Sequence, residues 1–205
     1  NILNIFQLKK ISKILILVGF NKKMIIQKIG NHYKEKRIFY IHNKNYRVTN
    51  NMYSLYLTKK YIKEDIIFVA SDLFIDPKIK DKINKLKKKN FILVSKNKSF
   101  FKDNSITRVE IKNKFIKLLG KKEFSGKISA AAPGMCGMSE SNFKKFLEIS
   151  ENFIKQKKFQ YGYNEVLRDL IKKKSSFFAF NPGNYLWRNI NKKYDVNYIK
   201  KKLKV

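Results

Sequence analysis

The sequence predicts an α/β fold: a mostly parallel, twisted sheet flanked by helices. Three observations predict it. Short, continuous apolar runs recur at Ile14–Val18, Ile66–Val69 and 91–94, the pattern of strands buried on both faces. Between them lie segments with apolar residues at helical spacing, and strands alternating with helices imply crossover connections. The second run ends abruptly in acid, as Ile66-Ile67-Phe68-Val69-Ala70-Ser71-Asp72 and then Asp76. A buried parallel strand delivers a carboxylate to the C-terminal edge of its sheet in this way, and that edge is where ligands and metals bind in open α/β folds.

The elements follow in order. Residues 2–10 carry Ile2, Ile5, Phe6 and Lys9 at helical spacing. Ile14–Val18 is a strand closed by Gly19, and Lys22–Ile29 is a short amphipathic helix. A second strand covers 37–42, a helix 51–63 with Met52, Leu55, Tyr56 and Leu57 for the core, and a third strand Ile66–Val69. Asp76-Pro77 suits a helix start, with the acid as cap and proline at the first position; Ile79, Ile83 and Leu86 share one face. A fourth strand spans 91–94, and 105–111 with 115–119 read as a hairpin. Residues 128–139 are small and Gly-rich. Ser139 caps a long helix that turns Phe143, Phe146, Leu147, Phe153 and Ile154 inward. Val166, Leu167, Leu170 and Ile171 mark another helix, 177–180 a strand, Pro182-Gly183 a turn and 196–203 a closing helix. The Lys87–Lys89 and Lys172–Lys174 runs sit at helix ends, where cations are favoured.

Composition narrows the classes. With 205 residues and 17 Phe, the chain buries a real core. Its net charge of +32 suggests a nucleic-acid partner, but 42 of the 47 cations are Lys and only 5 are Arg, beside 21 Asn and 26 Ile. Base and phosphate readers lean on the planar fork of Arg. The Lys excess reads better as the imprint of an AT-rich genome, so specific nucleic-acid binding is the weaker reading. Cys136 is the single cysteine and excludes an internal disulfide, which suits a reducing cytoplasm. No apolar stretch reaches the roughly 18 residues of a membrane span.

Asp72 is the first candidate for chemistry. A carboxylate at a buried strand exit is costly unless paired, hydrogen-bonded or metal-bound, and Mg²⁺ takes one or two carboxylates plus substrate phosphates. A helix cap or a solvated loop acid is the alternative. Asp76 reads as a helix cap. Asn50 and Asn51 precede a helix, and one of them caps it; both could also contact a base or sugar. Cys136 reads as a buried thiol with no base beside it. Trp187 with Tyr161, Tyr163, Phe177, Phe178 and Phe180 could cage a quaternary ammonium, but core packing is the better reading of them.

Taken together, the segments resemble one family. Asn43-Lys44-Asn45-Tyr46, then Thr49-Asn50-Asn51-Met52-Tyr53-Ser54-Leu55, then the strand ending at Asp72, are similar to the sugar-phosphate and phosphocholine nucleotidyltransferases. Gly134-Met135-Cys136-Gly137-Met138-Ser139, Tyr163-Asn164-Glu165, Trp187-Arg188-Asn189-Ile190-Asn191 and Asp195-Val196 continue the resemblance in order. It implies a Rossmann-like nucleotidyltransferase domain spanning 1–205. It implies transfer of a nucleotidyl group from CTP, UTP or another NTP to a phosphorylated sugar or phosphocholine, with release of pyrophosphate. Asp72 would be the catalytic acid, holding Mg²⁺ on the α-phosphate. Asn50, Asn51 and Ser71 would contact nucleotide or acceptor, Glu165 and Trp187 would close the acceptor side, and Asn191 would be a weak metal ligand.

The chain departs from the family pattern twice. That pattern begins with a strand, a Gly-rich loop bearing Arg, and Pro-Lys, none of which is matched here, so the resemblance implies an N-terminally truncated domain, inactive on its own. The family's later metal-binding Asp aligns with Asn191, and the acid before it with Asn189. Those amides favour a rival reading, a degenerate α/β protein that binds its ligand without turnover.

Overall fold

The computed structural model describes residues 11–101, 106–121 and 124–203; the helix expected over 2–10 lies outside them. The described chain runs β1 (Ile14–Val18), α1 (Lys22–Ile29), β2 (His32–Tyr33) and β3 (Lys36–His42). Next come α2 (Asn51–Tyr56), prolonged by a 3₁₀ turn over Leu57–Lys60, then β4 (Ile66–Val69), β5 (Leu73–Ile75), α3 (Ile79–Lys85) and β6 (Phe91–Leu93). The second half holds β7 (Thr107–Lys112), β8 (Phe115–Gly120), β9 (Ala130–Ala132), β10 (Met135–Met138), α4 (Glu140–Lys155) and α5 (Tyr163–Lys172). It closes with β11 (Phe178–Phe180), β12 (Trp187–Asn189) and α6 (Lys193–Leu203).

Among the described residues three sheets form: β1-β3-β2, then β4-β10-β6-β11-β8-β7-β9, and the ribbon β12-β5. Helices flank them, so the α/β arrangement is the expected one. The strand directions are mixed, which corrects the expectation of a mostly parallel sheet. β1 and β3 are parallel, in register from Ile14 with Ile38 to Val18 with His42. In the seven-stranded sheet β6 and β11 are parallel, while β10 runs antiparallel to both β4 and β6, and β7 to both β8 and β9.

The cause lies in 128–139, the small and Gly-rich stretch, which yields the two strands β9 and β10. Neither contains a β-branched residue, so local preference hides them and packing decides. Ala130 and Ala131 are fully buried, where only a small side chain fits. Gly137 admits the Phe91 ring: a Cβ there would stand 2.3 Å from Phe91 Cε1. The β7–β8 hairpin is as expected. Its two turn residues, Asn113 and Lys114, both take positive φ (49° and 68°), the geometry that matches strand twist in a two-residue hairpin.

Ser139 caps α4 as expected, its Oγ accepting from Asn142 N at 3.3 Å. The helix turns Phe143, Phe146, Leu147 and Ile149 onto the sheet beside Met52, Val166 and Phe177. Each fully buried Phe of that group contributes about 1.5–3 kcal/mol. A second cluster under α3 gathers Ile79, Ile83, Leu93, Ile75 and Trp187. Asp76 accepts from Lys78 N at 2.9 Å and so shapes the turn into α3, which begins at Ile79, two residues beyond Pro77. Among the described residues no helix is long and apolar enough to cross a membrane.

Candidate active site

Five segments meet where β4 leaves its sheet. The chain turns tightly at 70–73, Leu73 N donating to Ala70 O at 3.1 Å. The turn is tied to the β9–β10 connection by Ala70 N to Gly134 O, 2.8 Å. Gly134 has φ +107°, and a Cβ there would lie 3.0 Å from Ala70 Cβ and 3.5 Å from the Tyr163 hydroxyl, so conformation and space both call for glycine. Ser71 and Asp72 are exposed at the tip of the turn.

The loop after β12 crosses this tip. β12 pairs antiparallel with β5, Asn189 opposite Leu73, and Ile190 N donates to Asp72 O at 2.7 Å. Asn189 Nδ2 donates to Pro133 O at 3.2 Å. Asp72 and the 189–191 loop, far apart in sequence, thus occupy one edge. The loop is locked from behind: Asp195, at the start of α6, accepts from Asn191 N (3.0 Å), Lys192 N (2.9 Å) and Arg188 Nε (2.7 Å). Arg188 first, then these amides, hold the Asp195 carboxyl below the usual carboxylate range. The Arg188 guanidinium also lies over the rings of Tyr194 and Tyr198.

The opposite wall is the start of α5. Tyr163 packs its ring 4.7 Å from that of Phe68 on β4. Burial, with the neighbouring Cys136 and Asp72, pushes its phenol well above the ordinary value, so it stays a neutral hydroxyl. Glu165 accepts from Gly162 N at 2.9 Å, a capping arrangement. Asn51 reaches across from α2 and accepts from Tyr163 N at 2.8 Å. Asn50 caps α2 by accepting from Asn51 N at 2.7 Å and donates to Gln160 O at 3.1 Å. Behind this wall a cavity of about 10 Å³ touches Thr107, Gly134, Cys136, Tyr163 and Asn164, room for about one water.

The structure gathers Ser71, Asp72, Asn51, Glu165 and the 189–191 loop around one edge, with Asn50 one residue behind Asn51. Trp187 stands apart: it is buried, with its ring 4.2 Å from that of Phe100. Cys136 is buried, its thiol pushed up to about 12 by burial. Tyr163, drawn from the sequence only as a member of the aromatic cluster and of the Tyr163-Asn164-Glu165 segment, stands beside this edge against Phe68. Among the described residues no three His, Cys, Asp or Glu side chains cluster as a metal site. Asp72 with phosphate oxygens of a substrate would make a donor set of the kind Mg²⁺ accepts.

No family model and no curated protein matches the chain. Solved structures do. The inositol-1-phosphate CTP transferase from T. maritima superposes with a TM-score of 0.78 at 17% identity, over 98% of this chain and 79% of that one. The chain has the nucleotidyltransferase fold. The CTP:phosphocholine cytidylyltransferase from Streptococcus pneumoniae gives 0.70 at 15% identity, over 98% and 82%. UDP-glucose pyrophosphorylase, solved with UDP-glucose, gives 0.67 at 13% identity, over 93% and 81%. In this chain β4 is the outermost strand of the seven-stranded sheet, and β12 reaches its exit from the separate β12-β5 ribbon.

Proposed function

We propose that this protein is a nucleotidyltransferase of one domain, joining an NTP to a phosphorylated sugar or to phosphocholine and releasing pyrophosphate. The observation that carries the reading is the pairing of the Asp72 turn with the 189–191 loop, fixed by Ile190 N to Asp72 O. It puts a single exposed carboxylate at the edge where a nucleotide would lie. The acceptor phosphate attacks the α-phosphorus, and the protein supplies positioning and charge compensation. Asp72 would hold Mg²⁺, with Asn191 as a neutral and weaker neighbour; the bound ion would offset charge on the α-phosphate. Tyr163, its ring against Phe68 and its hydroxyl buried and protonated, stiffens the wall behind that edge. Asn50 and Asn51 fasten the 159–163 segment to α2, so that the Tyr163 wall is preorganised, and their contact with ligand is through that wall's rim. CTP or UTP suits the reading equally, and a cytoplasmic setting fits the single thiol.

The test is pyrophosphate release from CTP or UTP with a phosphorylated acceptor and Mg²⁺, measured on the full-length gene product. The reading expects metal-dependent release that Asp72→Asn lowers by at least a hundredfold, in line with the loss of one electrostatic group. Release that is indifferent to Asp72 would refute it. A second reading, ligand binding without turnover, is favoured by Asn189 and Asn191, which stand where the family resemblance leads one to expect acids.

A further inference from the structure

A surface cavity of about 460 Å³ opens beside the β2–β3 hairpin, lined by Asn31, His32, Arg37, Ile38, Phe39 and Tyr40. That volume falls in the range of small-molecule sites, roughly 300–1,000 Å³. It occupies the N-terminal half of β3. At about 3.3 Å per residue, Arg37 lies roughly 16 Å from the opposite end of that strand, which continues into Asn43, bonded through its side chain to Thr49 and Ser54 at the start of α2.

The hairpin builds a platform there. His32 pairs directly opposite Arg37, and directly opposed side chains share a face of the ribbon. Phe39, two residues along β3, lies on that same face, and the Arg37 guanidinium sits 5.0 Å from its ring centre. All three are exposed, Phe39 to 40%. The backbone beneath is fixed by Ile38 N to Asn31 O, 2.8 Å, and by the Tyr40 hydroxyl donating to Gly30 O. Among the described residues no carboxylate pairs with Arg37 or His32; the ion pairs engage other cations, and Glu35 on the hairpin turn is in none of them. In a chain that uses Lys for 42 of its 47 cations, this position carries the planar group that can stack on a ring and still present its N–H edge bidentately to an oxyanion.

We infer that this platform binds a small aromatic phosphate ester, its phosphate on the Arg37 fork and His32, its ring against Phe39. Phosphate alone would leave the Ile38, Phe39 and Tyr40 lining unused. A nucleic-acid strand needs a longer track than one hairpin offers. The site is separate from the Asp72 edge.

The experiment is an amide chemical-shift titration with phenyl phosphate and, separately, inorganic phosphate. Phenyl phosphate is expected to shift amides within 31–40 and to bind about tenfold more tightly than inorganic phosphate. Arg37→Lys should weaken phenyl phosphate at least tenfold. Phe39→Ala should erase the preference for the ester, and Asp72→Asn should change neither affinity. The two hairpin substitutions are at exposed positions, and unshifted amides elsewhere report an intact fold. Equal affinity for the two probes overturns the inference, as do shifts scattered over the lysine-rich surface, an unchanged Kd in Arg37→Lys, or a loss of binding in Asp72→Asn.

Discussion

Replacing Asp195 with Ala removes the lock behind the 189–191 loop. Its carboxylate is buried and accepts three hydrogen bonds, two from backbone amides and one from Arg188. Losing a helix-start acceptor typically costs about 1 kcal/mol. Leaving the half-buried guanidinium of Arg188 without its charged partner adds about 1–2 kcal/mol. The two freed amides belong to exposed residues that water can reach, so no further burial cost is added. The total is about 2–3 kcal/mol, and at about 2–4 °C per kcal/mol for a chain of this size Tm falls by roughly 8 °C. The pH dependence has a definite sign. The Asp195 pKa is depressed in the folded state, so its contribution is complete above the unfolded carboxylate value, about 3.9, and is lost as pH falls through the lower folded value. Calorimetric melts of wild type and Asp195→Ala should therefore differ by a constant amount from pH 5 to 8 and converge below about pH 4. Hydrogen exchange of the Ile190 amide should quicken in the variant. A Tm difference under 1 °C at pH 7, or a gap that ignores acid, would refute the reasoning.

Gly137→Ala drives a Cβ to 2.3 Å from the Phe91 ring and 2.6 Å from Lys89 O. Overpacking of this kind costs about 1–3 kcal/mol, and the backbone contact puts it at the upper end; the urea midpoint measures it. Asn51→Ala frees the Tyr163 amide at a cost of about 1 kcal/mol, and exchange of that amide should quicken while α4 amides stay protected. Cys136, with its thiol pushed up to about 12, should resist iodoacetamide at pH 8 roughly a thousandfold better than in urea; rapid labelling of the native protein would contradict its burial.

The elements most legible in the sequence were those whose apolar pattern needs no partner to be recognised. Ile14–Val18, Lys22–Ile29 and Ile66–Val69 form with the expected ends, because a continuous apolar run or a helical stripe is a local signal, although β4 proves to be a half-buried edge strand rather than one buried on both faces. β9 and β10 were hidden by small residues whose role is to let neighbours approach. β5 and β12 are three residues each, too short for any period to show, and they exist because each completes the other. Within the site, Asp72 was legible from its place after an apolar run. Its junction with Ile190 was not, nor was the Asn51–Tyr163 bond, which joins residues 112 apart. Such pairings are set by topology, and only resemblance to a known order of motifs hinted at them. Trp187 shows the converse: a residue type rich in binding roles that here fills the core beside Phe100.

The central claim is that the Asp72 edge receives a metal-bound nucleotide, and paramagnetic broadening by Mn²⁺ with CTP tests it directly. The account predicts selective loss of amide signals at 70–73, at 190–192 and at Tyr163, abolished by Asp72→Asn. Broadening centred elsewhere, or broadening at this edge that survives Asp72→Asn, would contradict it.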